Sequence, residues 1–136
     1  MKRILGIDYG IKRTGIAISD PLGIIASPLE TVDTVNLIDY LLRLIENEKI
    51  SDLVIGLPLN SKNKLFDIEK EIKKFILKIK LKLPELNIER IDERFTSKIA
   101  RNYINIYTEK QKTRRNKENL DKVSASLILQ SYLEKK

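Results

Sequence analysis

Cysteine and histidine are both absent from this sequence, and glycine is scarce, with five in 136 residues. Without cysteine there are no disulfides and no thiolate zinc sites. Without histidine there is no imidazole to act as a general base, and most zinc and copper sites are excluded. What remains for catalysis is a set of carboxylates holding a hard cation such as Mg²⁺ or Mn²⁺, or the chemistry of Ser, Thr, Lys and Tyr side chains. No apolar run approaches the roughly 20 residues that span a bilayer, and the start lacks the apolar stretch of a secretory signal. A cytoplasmic protein with no membrane partner is therefore expected.

The composition, 42% hydrophobic and 33% charged, is that of a globular protein, and the length fits one domain over residues 1–136. The formal net charge is +7, which favours a polyanionic partner because lysine and arginine gain by releasing counterions from phosphate. A bland source for the charge also exists, since a chain rich in Ile, Lys and Asn can carry lysine through compositional bias alone.

Three of the five glycines fall in the opening stretch, at positions 6, 10 and 15. The apolar runs Ile4–Ile7 and Ile16–Ile18 flank a turn holding Gly10, Lys12, Arg13, Thr14 and Gly15, the pattern of a β-hairpin with a basic tip. Glycines concentrated there imply a positive φ, or close approach of the backbone to another backbone or to a ligand. Asp8 ends the first strand after a run apolar enough to be buried on both faces, and carboxylates are seldom buried unless paired or bound to a cation. The structural alternative is an aspartate bonded to its own turn.

A third strand is expected from Gly23 to Thr31 through Ile24, Ile25 and Ala26, with Pro28 marking an edge or a bulge. Ile38, Leu41, Leu42 and Ile45 recur at helical spacing within Val35–Glu48, and Asp33 or Thr34 is placed to cap that helix. Ser51–Pro58 has the unbroken apolar centre of a buried parallel strand. A longer, lysine-faced helix follows from Leu65 to Leu83, ended by Pro84, and then a fifth strand from Asn87 that runs out into Asp92, Glu93 and Arg94. Thr96 or Ser97 can cap a helix bearing Ile99, Ala100, Tyr103, Ile104 and Tyr107. Residues 108–119 contain no apolar side chain and read as a solvated loop or arm presenting Lys110, Lys112, Arg114, Arg115 and Lys117, ahead of a final helix from about Leu120 to Lys135.

This order predicts an α/β fold: an antiparallel meander of strands 1 to 3, then parallel strands 4 and 5, in one mixed five-stranded sheet flanked by helices. Ligands in such sheets bind beyond the carboxyl ends of the parallel strands, where Asp8 and the Asp92–Arg94 stretch both project. Asp121 shares a face of the final helix with Ala125, Ile128 and Tyr132, a face that should pack on the sheet. Each acid has its own structural explanation, Asp121 as a first-turn residue on the helix dipole and Glu93 in a charged loop. Their convergence on one edge is better explained by a divalent cation, because clustered carboxylates repel when bare. Two such ions about 3.5–4 Å apart can activate a water and stabilise the leaving oxygen of a phosphodiester. In that scheme Arg94 clamps a phosphate oxygen, and Lys12 and Arg13 hold the nucleic-acid backbone near the hairpin tip, with Arg114 and Arg115 as further phosphate contacts.

Four ordered blocks, Gly6–Asp20, Gly56–Asn60 (GLPLN), Asp92–Ser97 (DERFTS) and Asp121–Leu133, resemble the YqgF family, also called RuvX-like, a family associated with Holliday junction resolution and with ribosomal RNA precursor processing. The resemblance covers nearly the whole chain. It implies a ribonuclease H-like fold, an acidic triad at Asp8, Glu93 and Asp121 that acts as both metal ligands and catalytic groups, a bacterial cytoplasmic setting, and 5′-end maturation of pre-16S rRNA. The stretch after Gly56-Leu-Pro58 departs from the family in lacking its usual glycine, and Asp92 stands as the rival of Glu93. Other readings are a nuclease for four-way DNA junctions, which requires a homodimer to make two symmetric cuts, and a nucleic-acid-binding module without catalysis. A nucleotide-binding domain of the actin and sugar-kinase type is opposed by length. Oligomeric state, monomer or homodimer, is not legible in the sequence.

Overall fold

In a computed structural model, residues 3–57, 68–92 and 114–135 are described, the side chains of the last segment from 121 onward. Strands β1 (Arg3–Asp8), β2 (Arg13–Ser19), β3 (Ala26–Asp33), β4 (Ile50–Leu57) and β5 (Asn87–Asp92) form one sheet in the order β3-β2-β1-β4-β5. β1 pairs antiparallel with β2 and parallel with β4, so the meander and the parallel half expected from the sequence meet at a central first strand.

Helices cover both faces, and the pleat sorts each strand's residues between them. On one face Leu5, Ile7, Ile16, Leu53 and Ile55 pack against Leu37 and Leu41 of α1 (Leu37–Glu48) and Ile72, Phe75 and Ile79 of α2 (Ile68–Lys82). On the other, Ile4, Ala17, Val54 and Ile91 meet Ala125, Ile128, Leu129 and Leu133 of α3 (Arg114–Lys135). Isoleucine and leucine fill the first face. The second has small residues where α3 passes. A Cβ built on Gly6 would stand 2.6 Å from Leu129 Cβ and 2.9 Å from the Ala125 carbonyl oxygen, and one on Gly15 would run into the Asp121 carbonyl. These glycines admit a helix to the sheet, which is the close backbone approach anticipated for the hairpin, and neither has a positive φ.

Three boundaries differ from expectation. β3 begins at Ala26 and reaches Asp33, because Ile24 and Ile25 are held in a turn: both backbone N–H groups donate to Asp20 Oδ1, at 2.7 and 2.8 Å. Gly23 within this turn has φ +70°, and both isoleucines are 59% exposed. Pro28 does sit on an edge strand, next to a register shift at Ile16/Ala17. The first helix opens with a 3₁₀ turn at Thr34–Asn36 and has no side-chain cap; the Thr34 hydroxyl donates to the Gly10 carbonyl at 2.6 Å.

The largest correction is at the last helix. α3 begins at Arg114, so residues 114–119 are helical rather than part of a loop. A segment with no apolar residue carries no amphipathic period to read, yet Arg, Lys and Glu are good helix formers and extension from a packed helix needs no new nucleus. The helix expected over Ile99–Tyr107 and the loop after Gly56-Leu-Pro58 lie outside the described residues.

Candidate active site

Asp8 closes β1 in register with Gly15 of β2. Directly opposed residues of an antiparallel pair share a face, and Gly15 faces α3, where its missing side chain would meet Asp121. Alternation along β1 says the same, since Ile4 and Gly6 face α3 and Leu5 and Ile7 face α1 and α2. Residues 8 and 121 are therefore brought to one end of one face, Asp8 paired with Gly15 and the Asp121 backbone passing directly over Gly15. The first-turn explanation for Asp121 no longer holds. With α3 starting at Arg114, Asp121 sits about two turns in, beyond the reach of the helix dipole.

Arg13 opens β2 at the same end. Its Nε donates to Asp121 Oδ2 at 3.1 Å, and the two side chains are 29% and 28% exposed. The hairpin tip that carries Lys12 and Arg13 is braced by a hydroxyl relay. Thr34 Oγ1 donates to the Gly10 carbonyl, so its contact with Thr14 Oγ1 at 2.9 Å must be a bond donated by Thr14. The Thr34 N–H also donates to the Lys12 carbonyl at 2.9 Å. Lys12 is exposed beside this brace.

Among the described residues no third acid joins the pair. Glu93 and Arg94 lie outside them, as do the side chains of Arg114 and Arg115, whose backbones open α3. The neighbouring acid can be placed. Ile88 packs with the α1 and α2 cluster, Arg90 bonds to Glu69 of α2, and Ile91 packs under α3, so alternation carries Asp92 onto the face away from Asp8.

Sequence reasoning missed the pair formed by Glu69 and Arg90. Arg90 Nη2 and Nη1 donate to Glu69 Oε1 and Oε2 at 2.7 and 2.8 Å, and the guanidinium also donates to the carbonyls of Gly56 at 2.9 Å and Ile55 at 3.3 Å. It ties the start of α2 to the exits of β4 and β5. The available signal was parity, because an arginine two residues from Ile88 on a strand points into an apolar face and needs an acid there. A concavity of about 850 Å³ lined by Ile50, Ser51, Lys82, Pro84 and Asn87 lies at the opposite end of the sheet, away from the carboxylates.

The donors at the Asp8 end are oxygens, which suit Mg²⁺ or Mn²⁺, and a guanidinium already sits on one of them, as expected where carboxylates concentrate negative charge. The fit is chemically sound for a hard divalent cation.

The family model described as "RuvX: Holliday junction resolvase" matches residues 2–135. The chain belongs to the RuvX family. Relatives at high similarity include a protein of Bacteroides fragilis, 44% identical over 100% of this chain and 99% of its own, and one of Karelsulcia muelleri, 48% identical over 98% and 99%; both carry the provisional name pre-16S rRNA nuclease. Among solved structures, Thermus thermophilus RuvC in complex with a Holliday junction substrate superposes with a TM-score of 0.62 at 14% identity, covering 99% of this chain and 96% of that one. That likeness is one of fold, the ribonuclease H-like mixed sheet flanked by helices, and it extends over the whole RuvX chain.

Proposed function

We propose that this RuvX chain is a cytoplasmic, metal-dependent nuclease that hydrolyses phosphodiester bonds in structured RNA, with 5′-end maturation of pre-16S rRNA as its task. The observation that carries the reading is that Asp8 and Asp121, from opposite ends of the chain, fall at the same end of one sheet face, Asp8 in register with Gly15 and the Asp121 backbone packed over that glycine. Glu93 completes the set. The placement of Asp92 on the far face supports the choice, because it turns the rival acid away from Asp8. Mg²⁺ or Mn²⁺ held by Asp8, Glu93 and Asp121, as one ion or two, would supply an activated water and charge stabilisation for the leaving oxygen.

The chain's own groups do the rest. Lys12, exposed on the braced tip, and Arg13 beside Asp121 set the phosphodiester against the carboxylates, while Arg94 clamps a non-bridging oxygen and Arg114 and Arg115 extend the basic track along α3. The names of the relatives support the RNA substrate. A second reading, resolution of four-way DNA junctions by a homodimer, is favoured by the family description and by the fold shared with RuvC.

Purified protein incubated with precursor rRNA and with a synthetic junction, in Mg²⁺, Mn²⁺ or EDTA, separates these readings. Cleavage of the precursor alone, abolished by EDTA, is expected. Asp8→Asn removes a ligand charge at nearly constant volume and should abolish turnover while leaving RNA binding intact. Undiminished turnover by that variant would overturn the proposed site.

A further inference from the structure

Resting on that reading of the carboxylates as metal ligands, we infer that Arg13 is an exchangeable counter-ion: it neutralises Asp121 while the metal is absent and moves to a substrate phosphate when a cation takes the carboxylate. Metal binding and substrate binding would then be coupled through one side chain.

Three observations carry the inference. The contact is a single bond through Nε, so it uses one of the five N–H donors of the guanidinium and lacks the two-pronged grip that makes Arg–carboxylate pairs persistent. Both partners are more than a quarter exposed, and a partly solvated pair of this kind shifts an equilibrium by about fivefold or less, a preference that a divalent cation at the same oxygen can exceed. Finally, the backbone beneath Arg13 is fixed. The bonds from Thr34 to Gly10 and Lys12 brace the tip, and β2 pairing continues from Arg13 to Asp33, so only side-chain torsions need change.

The protein also contains a contrasting pair built to persist. Arg90 holds Glu69 through two nitrogens and two oxygens, with the Glu69 side chain 6% exposed, and it binds two backbone carbonyls besides. Among the described residues nothing similar pins Arg13, whose carboxylate partner lies at the end of the sheet that also carries Asp8. An arginine there favours Asp121 only until a stronger cation arrives, and the freed guanidinium is then available to a substrate phosphate.

The exchange makes two linked predictions, since coupling between two ligands is reciprocal. Arg13→Gln removes the competitor, so Mg²⁺ titrated calorimetrically into the variant should bind about two- to fivefold more tightly than into the unchanged protein. With a labelled RNA hairpin as probe and Ca²⁺ as a cation chosen to suppress cleavage, the salt dependence of binding should steepen by roughly 0.7–0.9 on going from EDTA to Ca²⁺ in the unchanged protein, as one phosphate contact is gained. In Arg13→Gln it should not steepen. Arg13→Lys keeps the charge without the planar fork and should fall between in both measurements, which also serves if Arg13→Gln folds poorly. A Mg²⁺ affinity unchanged or weakened in Arg13→Gln, or a slope shift equal in all three proteins, would overturn the exchange. Asp121→Asn distinguishes the levels of failure: unchanged Mg²⁺ binding there removes the metal-site reading itself, whereas lost Mg²⁺ binding with an inert Arg13→Gln removes only the exchange.

Discussion

Two arginine–carboxylate pairs stand toward the same end of the sheet on opposite faces, and they differ in the number of bonds and in the burial of the acid. Glu69–Arg90 faces α2, is bidentate and nearly dry at the acid, and also satisfies the carbonyls of Ile55 and Gly56. Arg13–Asp121 faces α3, has one bond and is open to solvent on both sides. The difference follows from what packs around them. The first lies on the face that α2 covers, with its acid buried, while the second lies where glycine and alanine let α3 pass close to the sheet and the strand ends run out. One face is assembled to hold the strand exits in place, and the other to present charge.

Breaking the buried pair should have the largest effect. Arg90→Met leaves Glu69 without its partner in an apolar setting and is expected to cost about 3 kcal/mol or more in urea unfolding, whereas Glu69→Leu/Arg90→Met should recover most of that loss. Full stability in the single variant would erase the contrast between the pairs.

Next come the glycines under α3. Gly15→Ala and Gly6→Ala should each cost about 1–3 kcal/mol, because the helix must lift away from a new Cβ. Gly15→Ala should also lower nuclease turnover more than Gly6→Ala, since the part of α3 it displaces is Asp121, and rates compared where both proteins remain folded test this. Equal losses would mean that the spacing of Asp8 and Asp121 is not what Gly15 sets.

Arg13→Gln should change stability by less than about 1 kcal/mol in the same urea experiment, as suits a solvated pair. A cost matching that of Arg90→Met would show the two pairs to be equivalent after all.

The smallest expected effect is at the β2–β3 turn. The Asp20 carboxyl is held below its ordinary value chiefly by the Ile25 backbone N–H, with burial opposing and the Ile24 N–H adding to it. A lowered folded-state pKa means that its stabilisation is present above the ordinary carboxylate value of about 3.9 and is lost as pH falls through the folded value below it. Hydrogen exchange at the Ile24 and Ile25 amides should therefore keep its protection down to about pH 4 and lose it in stronger acid, while Asp20→Ala lacks it throughout.

The sequence by itself determined the sheet and its order. Unbroken apolar runs at Ile4–Ile7 and Leu53–Ile55 can only be buried strands, the glycine-bearing turn at residues 10–15 makes the first two antiparallel, and helical spacing at Ile38–Ile45 and Ile72–Ile79 supplies the cover. It also singled out Asp8 and Asp121, because an acid at the end of a buried strand and another on the packed stripe of a helix contradict their surroundings. Short-range chemistry misled it at Ile24 and Ile25, which look like a strand until the Asp20 carboxylate, four and five residues back, claims their N–H groups. It could not see α3 begin at Arg114, since a helix turn without apolar residues leaves no period. Only the tertiary structure decided that the Asp121 backbone passes over Gly15, that Arg13 bonds Asp121, and that Arg90 finds Glu69. Each of those contacts joins residues remote in the chain, and their geometry is set by how closely a helix can approach a sheet, which depends on every side chain between them.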